Sequence, residues 1–411
     1  MNLAWLSLIA LLIAIAVSCF TRLNVGILSL AFAWIVGVYF GSMSLNEVLA
    51  GFPVQLFLTL AGVTLLFAQA QLNGTLDKLA HHAVGLCRGN VGFIPVMFFV
   101  LGAGIATLGP GNVATAAMLA PMAMMVAARA GVPLFLMAIM VGNGAQSGAL
   151  SPFAPTGIIV NGIMERIGLA GFEWRTYASN LLAHAAVAFA GYFLFGGWKL
   201  FTRTYVGPAD DPEKSTAFDR GNIATMGAIA AVLAVVMFTG ANVGMAAFAA
   251  AVLLAVFGVA DHEQAVKRMP WFVIMMVSGV TVLIALMEKT GGLDLFTRFL
   301  AYVATPETVT GVVAFVVAVV SVYSSTSGVV LPAFLPTIPG LVMRIGGDPI
   351  GIASAMNVGA HLVDMSPLST TGAVCLAGIT EPKDVRPVYN RLLAWGLSMT
   401  VVGAILCYLF F

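Results

Sequence analysis

Charge is what this chain has least of. Its 411 residues hold 18 Lys and Arg against 17 Asp and Glu, 9% in all, for a net +1, where a soluble domain carries about 25%. That excludes an ordinary soluble globular protein. With no basic tract to neutralise phosphates, it also excludes a nucleic-acid partner. Cysteine is scarce too: Cys19, Cys87, Cys375 and Cys407 stand apart in apolar surroundings without CxxC spacing. They read as free thiols and fix no redox compartment. HExxH, GxSxG and a phosphate-binding glycine loop are missing, so the chain is read as no enzyme and as having no organic cofactor. Residues 3–20 are apolar, but no positive stretch precedes them and no small-x-small cleavage site follows, so they read as a retained first helix.

What is abundant is apolar sequence, 60% of residues, with 44 Gly and 18 Pro. Runs of about 17–25 apolar residues recur along the whole length, the signature of helices crossing lipid. The fold class is therefore an all-α polytopic membrane protein. Spans are expected near 3–20, 24–42, 54–72 and 176–202, then 222–238, 242–259, 271–288 and 388–409, with surface stretches at 75–90 and 291–304. Between them lie helical hairpins at 92–130 and 307–344, whose polar tips read LGPGNVAT (108–115) and YSSTSG (323–328). Each hairpin is followed by a broken helix, 134–167 and 349–380. In the first, Pro152 and Pro155 lack the N–H that a continuous helix needs. The backbone groups so freed are tolerated at membrane depth only against protein or a water-filled cavity.

The two halves repeat. Pro53, Gly62-Val63-Thr64 and Leu76-Asp77 match Pro270, Gly279-Val280-Thr281 and Leu293-Asp294; Ser151-Pro152 and Thr156-Gly157 match Ser366-Pro367 and Thr371-Gly372. This is an internal duplication: residues 1–205, a polar linker at 206–220, and residues 221–411. Each half contributes five crossings, one of them broken, plus a hairpin. The odd count turns the halves upside-down relative to each other, an inverted repeat. Thirteen of the 18 Lys and Arg fall on one side of this topology. Positive-inside makes that side cytoplasmic and puts both termini outside, in a bacterial-type inner membrane.

At this point the residues resemble a family. GFP at 51–53, GVT at 62–64, NGTLD at 73–77 and the SP…TG…NGI stretch at 151–163 are similar to the malonate/dicarboxylate carriers of the MatC type. More distantly the whole chain resembles the ion transporter superfamily, including the divalent anion–sodium symporters. The resemblance implies a homodimeric elevator carrier. In the symporters each tip and its neighbouring break hold one sodium ion, and both tips clasp substrate carboxylates through a Ser-Asn-Thr motif. Here the first tip reads Gly-Asn-Val-Ala-Thr and the second Ser-Ser-Thr-Ser. Carried over by position, Asn112, Thr115, Pro155, Thr156, Ser325, Thr326 and Thr371 are expected to hold a small carboxylate. Gly111, Asn112, Asn143, Ser151, Ser325, Thr326, Asn357, Asp364 and Ser366 are expected to hold Na+.

The chemistry of the segments agrees. No Lys or Arg occurs in either tip or break, helix N-termini contribute only about 0.3–2 kcal/mol each toward an anion, and desolvating a charge costs several kcal/mol. A cation travelling with a dicarboxylate closes that gap, and these segments supply the hard oxygens it needs. Asp364 is an ionisable group at membrane depth. It reads as a cation ligand or as a proton carrier helped by His361, with capping the next half-helix or facing water as the plainer roles. A proton-driven carrier, an exchanger, or a carrier of another organic anion or tricarboxylate stands as the alternative function.

Overall fold

The computed structural model describes residues 2–21, 23–76, 78–79, 82, 90–204, 217–239, 241–322, 324–379 and 381–411. Residues 206–216 of the expected linker and most of the surface stretch at 75–90 lie outside the described residues. The first half runs α1 (Leu3–Phe20), α2 (Val25–Trp34, continued in wider turns as Ile35–Phe40), α3 (Leu45–Leu49), α4 (Val54–Leu72), α5 (Phe93–Leu108), α6 (Gly111–Ala130), α7 (Leu134–Ser147), α8 (Pro155–Arg166) and α9 (Glu173–Leu194). The second half runs α10 (Arg220–Thr239), α11 (Val243–Val256), α12 (His262–Arg268), α13 (Trp271–Thr290), α14 (Gly292–Tyr302), α15 (Val309–Ser321), α16 (Thr326–Ile345), α17 (Pro349–Leu362), α18 (Thr370–Ala377) and α19 (Pro382–Phe410). Among the described residues, α4, α6, α13, α16 and α19 are long and apolar enough to cross a bilayer, and shorter apolar helices stand among them.

Three features depart from the expected spans. Short α3 and α12 follow α2 and α11, each set by its cap: Ser44 and Glu47 form a reciprocal capping box, and Asp261 accepts from Gln264 N–H at 3.0 Å. The long helix placed at 176–202 ends at Leu194, because Gly196 takes a left-handed φ of +81° and redirects the chain into a tighter turn at Gly197–Thr202.

The helices pack in two sets, joined by a core that runs from the crossed helices into α15, α16 and α17. In one, α2 crosses α13 and α4 crosses α11, with α1 on α2 and α13 and α10 on α11. Glycine makes both crossings possible: Gly26 and Gly279 meet backbone to backbone in the first, Gly62 and Gly244 in the second. In the other set α5 and α6 flank α7, α15 and α19 flank α17, α9 lies on α7 and α17, and α18 lies on α6. Here too the halves match, since Gly144 rests on the backbone of Phe99 as Gly359 rests on that of Ala314.

The outgoing arm of the second hairpin, α16, is docked on α14. The Phe296 and Phe334 rings lie 5.0 Å apart, and Asp294 accepts from Arg298 at 2.9 Å and from Arg344. Arg344 foremost, then Arg298, holds the Asp294 carboxyl below the usual carboxylate range. A lowered folded value means the clamp is complete above the unfolded carboxylate pKa of about 4 and is lost as pH falls through the folded value. The partners are solvent-exposed, so Arg344→Ala should cost less than about 1 kcal/mol at neutral pH. The gap in melting temperature between it and the parent should close on acidification below about pH 4.

Candidate functional site

The two breaks are built alike. After α7, Ser151 Oγ donates to Thr107 O at 2.7 Å and accepts from Phe153 N–H at 3.3 Å, and α8 restarts with Pro155 in its first turn, where a missing N–H costs nothing. After α17, Ser366 Oγ accepts from Leu368 N–H at 3.3 Å and α18 restarts at Thr370. The repeated Thr-Gly pair has a packing reason. A Cβ on Gly157 would fall on the Ser151 carbonyl, and one on Gly372 on the Ser366 carbonyl. Gly372→Ala should therefore destabilise by about 1–3 kcal/mol despite alanine's better helix propensity, read as a lower denaturation midpoint in detergent.

The tips come down onto these breaks. The first turns at Gly109 and Pro110, so Gly111 and Asn112 already lie in the first turn of α6 and Thr115 at the start of its second. Gly111 has φ +76°, and a Cβ there would sit 2.9 Å from Pro155 Cδ. In the second tip, Ser325 caps α16 by accepting from Gly328 N–H at 3.2 Å.

A chain of side-chain hydrogen bonds links both tips and both breaks. Asn112 Nδ2 donates to Gln146 Oε1 at 2.8 Å; Gln146 Nε2 donates to Thr371 Oγ1 at 3.0 Å and to Asp364 Oδ2 at 3.2 Å. Thr326 Oγ1 donates to Asp364 Oδ1 at 2.8 Å, Ser369 Oγ to the same oxygen at 3.3 Å, and Thr326 also contacts Ser321. Thr156 Oγ1 donates to Asn112 Oδ1 at 3.4 Å. Asp364, 6% exposed, is thus held by side-chain donors from three segments. That is neither a solvated carboxylate nor a helix cap.

This network forms one wall of a cleft of about 210 Å3, lined also by Ser324, Ser325, Ser327, His361 and Thr370 and, where it meets the surface, by the exposed Thr21 and Leu23. Among the described residues no Lys or Arg lines it. Of the expected residues, Asn112, Thr156, Ser325, Thr326, Thr371 and Asp364 come together here. Others are placed differently. Asn143 gives its amide to Ile139 O at 2.7 Å and accepts from His184 Nδ1 at 2.9 Å. The Asn357 amide and the Thr115 hydroxyl are buried with no partner. His361 Nδ1 donates to Asn357 O at 2.8 Å. Sequence reasoning assigned no role to Gln146, Ser369 or His184. Gln146 and His184 carried a signal, as polar groups inside apolar helices.

Residues 1–149 match the family model described as dicarboxylate carrier protein MatC N-terminus. The comparison with curated proteins found no match. The fold is similar to the crystal structure of the Alcanivorax borkumensis YdaH transporter, with TM-score 0.64 and 16% identity over 91% of this chain and 88% of that one. It is also similar to Neisseria gonorrhoeae MtrF, described with a class of antimetabolite efflux pumps, with TM-score 0.60 and 13% identity over 91% and 83%. At such identities the likeness is one of fold alone. With helices long and apolar enough to cross a bilayer and a match over its first 149 residues to the MatC-type dicarboxylate carriers, this chain is a membrane transporter rather than an enzyme.

Proposed function

We propose that the protein is a secondary active importer of a small dicarboxylate, driven by Na+. The observation that carries this reading is the meeting of both tips and both breaks around Asp364 in a cleft that, among the described residues, no Lys or Arg lines. A dianion entering beside that carboxylate must bring positive charge with it. Asp364, Thr326, Ser321 and the Ala360 carbonyl, 3.4 Å from Thr326 Oγ1, offer the hard oxygens that Na+ prefers. Asn357, with both amide atoms unpartnered and buried, offers another. Asn112, Ser325 and Thr371 remain for the carboxylates.

The reciprocal crossings, α2 with α13 and α4 with α11, exchange equivalent helices of the two halves and so support the inverted-repeat reading. In the elevator that belongs to this reading, the hairpins would move against the crossed helices of a homodimeric scaffold, and α16, packed on α13 and α14, would have to slide along them. With the Lys- and Arg-rich side inside, the mouth at Thr21, Leu23 and Phe272 faces the cytoplasm. Uptake of radiolabelled malonate and succinate into proteoliposomes tests the reading. Uptake should follow an imposed Na+ gradient and saturate with substrate. Uptake that follows only a proton gradient would favour the proton-driven alternative, for which Asp364 is the natural carrier.

A further inference from the structure

The cleft has two unlike walls. The hairpin side presents mainly amide, hydroxyl and carboxylate groups, with Val113, Val329 and Leu368 among them, whereas the described residues of the scaffold side are Leu23, Val25, Phe272 and Met276 beside the hydroxyl of Thr21. These four come from two adjoining elements, the α1–α2 connection with the start of α2 and the first turns of α13, tied by Asn24 Nδ2 donating to Phe272 O at 2.9 Å. Met276 is buried against the second tip, where a Cβ on Gly328 would meet its side chain, so this wall lies directly beside the carboxylate-binding tip. Phe272, by contrast, is 54% exposed and also lines the cleft.

A three-carbon diacid with both carboxylates on the polar wall leaves this apolar wall against trapped water. We propose that the site selects dicarboxylates bearing an apolar alkyl substituent, with the diacid head on the tips and breaks and the substituent against Leu23, Val25, Phe272 and Met276. The inference rests on the dicarboxylate reading above and narrows it to a substrate class. Each methylene covered by such a wall should tighten binding by about fourfold. A hydroxyl in the same place should gain little, because the Thr21 hydroxyl already donates to Val17 O and accepts from Leu23 N–H, and the other four described side chains of this wall offer no strong hydrogen-bonding group.

The test is competition against radiolabelled malonate with methyl-, ethyl- and butylmalonate and with hydroxymalonate, using the full-length protein in proteoliposomes under a fixed Na+ gradient. Thermal-shift titrations of the same compounds in detergent run beside it. Apparent affinity should climb through the alkyl series, with hydroxymalonate little better than malonate. In Phe272→Ala the ratio of butylmalonate to malonate affinity should fall toward one. If that variant does not fold, the parent series alone decides. Equal affinities for malonate and butylmalonate would overturn the inference while leaving the carrier reading intact. Butylmalonate binding that rises through the series, with no gradient-driven uptake of any diacid, would overturn the carrier reading and support this one. Silence of every diacid in the thermal-shift assay would overturn both.

Discussion

Replacing Asp364 by Asn is expected to cut Na+-driven malonate uptake by at least about tenfold while the protein still folds and inserts. The side chain keeps its size, so the break at 363–369 keeps its packing. What changes is the match of donors and acceptors. Asp364 Oδ1 accepts from Thr326 and Ser369, and Oδ2 accepts from Gln146. An amide nitrogen in place of Oδ2 sets donor against the Gln146 amide, in place of Oδ1 it makes the Thr326 and Ser369 hydroxyls turn to accept, and in either case the negative charge that would hold a cation is gone. A hydrogen bond to a charged group is worth about 1.5–3 kcal/mol, or roughly 10- to 150-fold in binding. The measurement is initial uptake as a function of external Na+, with a melting curve to confirm folding. Uptake that keeps its parental Na+ dependence in a folded Asp364→Asn protein would remove this carboxylate from the coupling site.

Much of this arrangement was legible before any coordinates. Ser151-Pro152 and Ser366-Pro367 mark breaks because proline cannot continue a helix, and that holds in any tertiary setting. Asn112, Thr156, Thr326 and Thr371 are expected to meet because the tips and breaks resemble those of known carriers, and Asp364 because an ionisable group at membrane depth needs a partner. What could not be read was the partner each would find. Asn143 and Asn112 look alike in sequence, yet one amide is taken up by Ile139 and His184 and the other turns to Gln146. Gln146 reaches Asp364 across 218 residues, which depends on how α7 lies against the second break rather than on any local pattern. Short α3 and α12 escaped notice because five or seven residues hold too few turns to show a period, and only Ser44 and Asp261 hinted at them. The match of Gly62 to Gly279 was visible as a repeat, but not that each glycine is a contact point for the opposite half.

That last point leads to the largest effect expected on folding. Gly279→Val should prevent the two halves from assembling, seen as loss of folded, monodisperse protein from detergent extracts. A Cβ on Gly279 would fall on the Gly26 carbonyl, and one on Gly26 on the Met275 carbonyl. Backbone meets backbone here, so no rotamer change relieves the clash, and the helices must part. Parting α2 from α13 uncovers the packing along both helices, where Ile274, Val277, Val280 and Val25 are buried. The cost then exceeds the 1–3 kcal/mol usual for overpacking a core. In the second crossing a Cβ on Gly62 would fall on the Gly244 carbonyl, and one on Gly244 on the backbone of Thr59. Gly62→Val should therefore match Gly279→Val in severity. Gly104, whose Cβ would meet open space, should accept the same substitution with little loss. Equal failure at Gly62 and Gly279 with tolerance at Gly104 is what a two-fold exchange of helices requires. A folded Gly279→Val protein would mean that the halves are not clasped at these crossings.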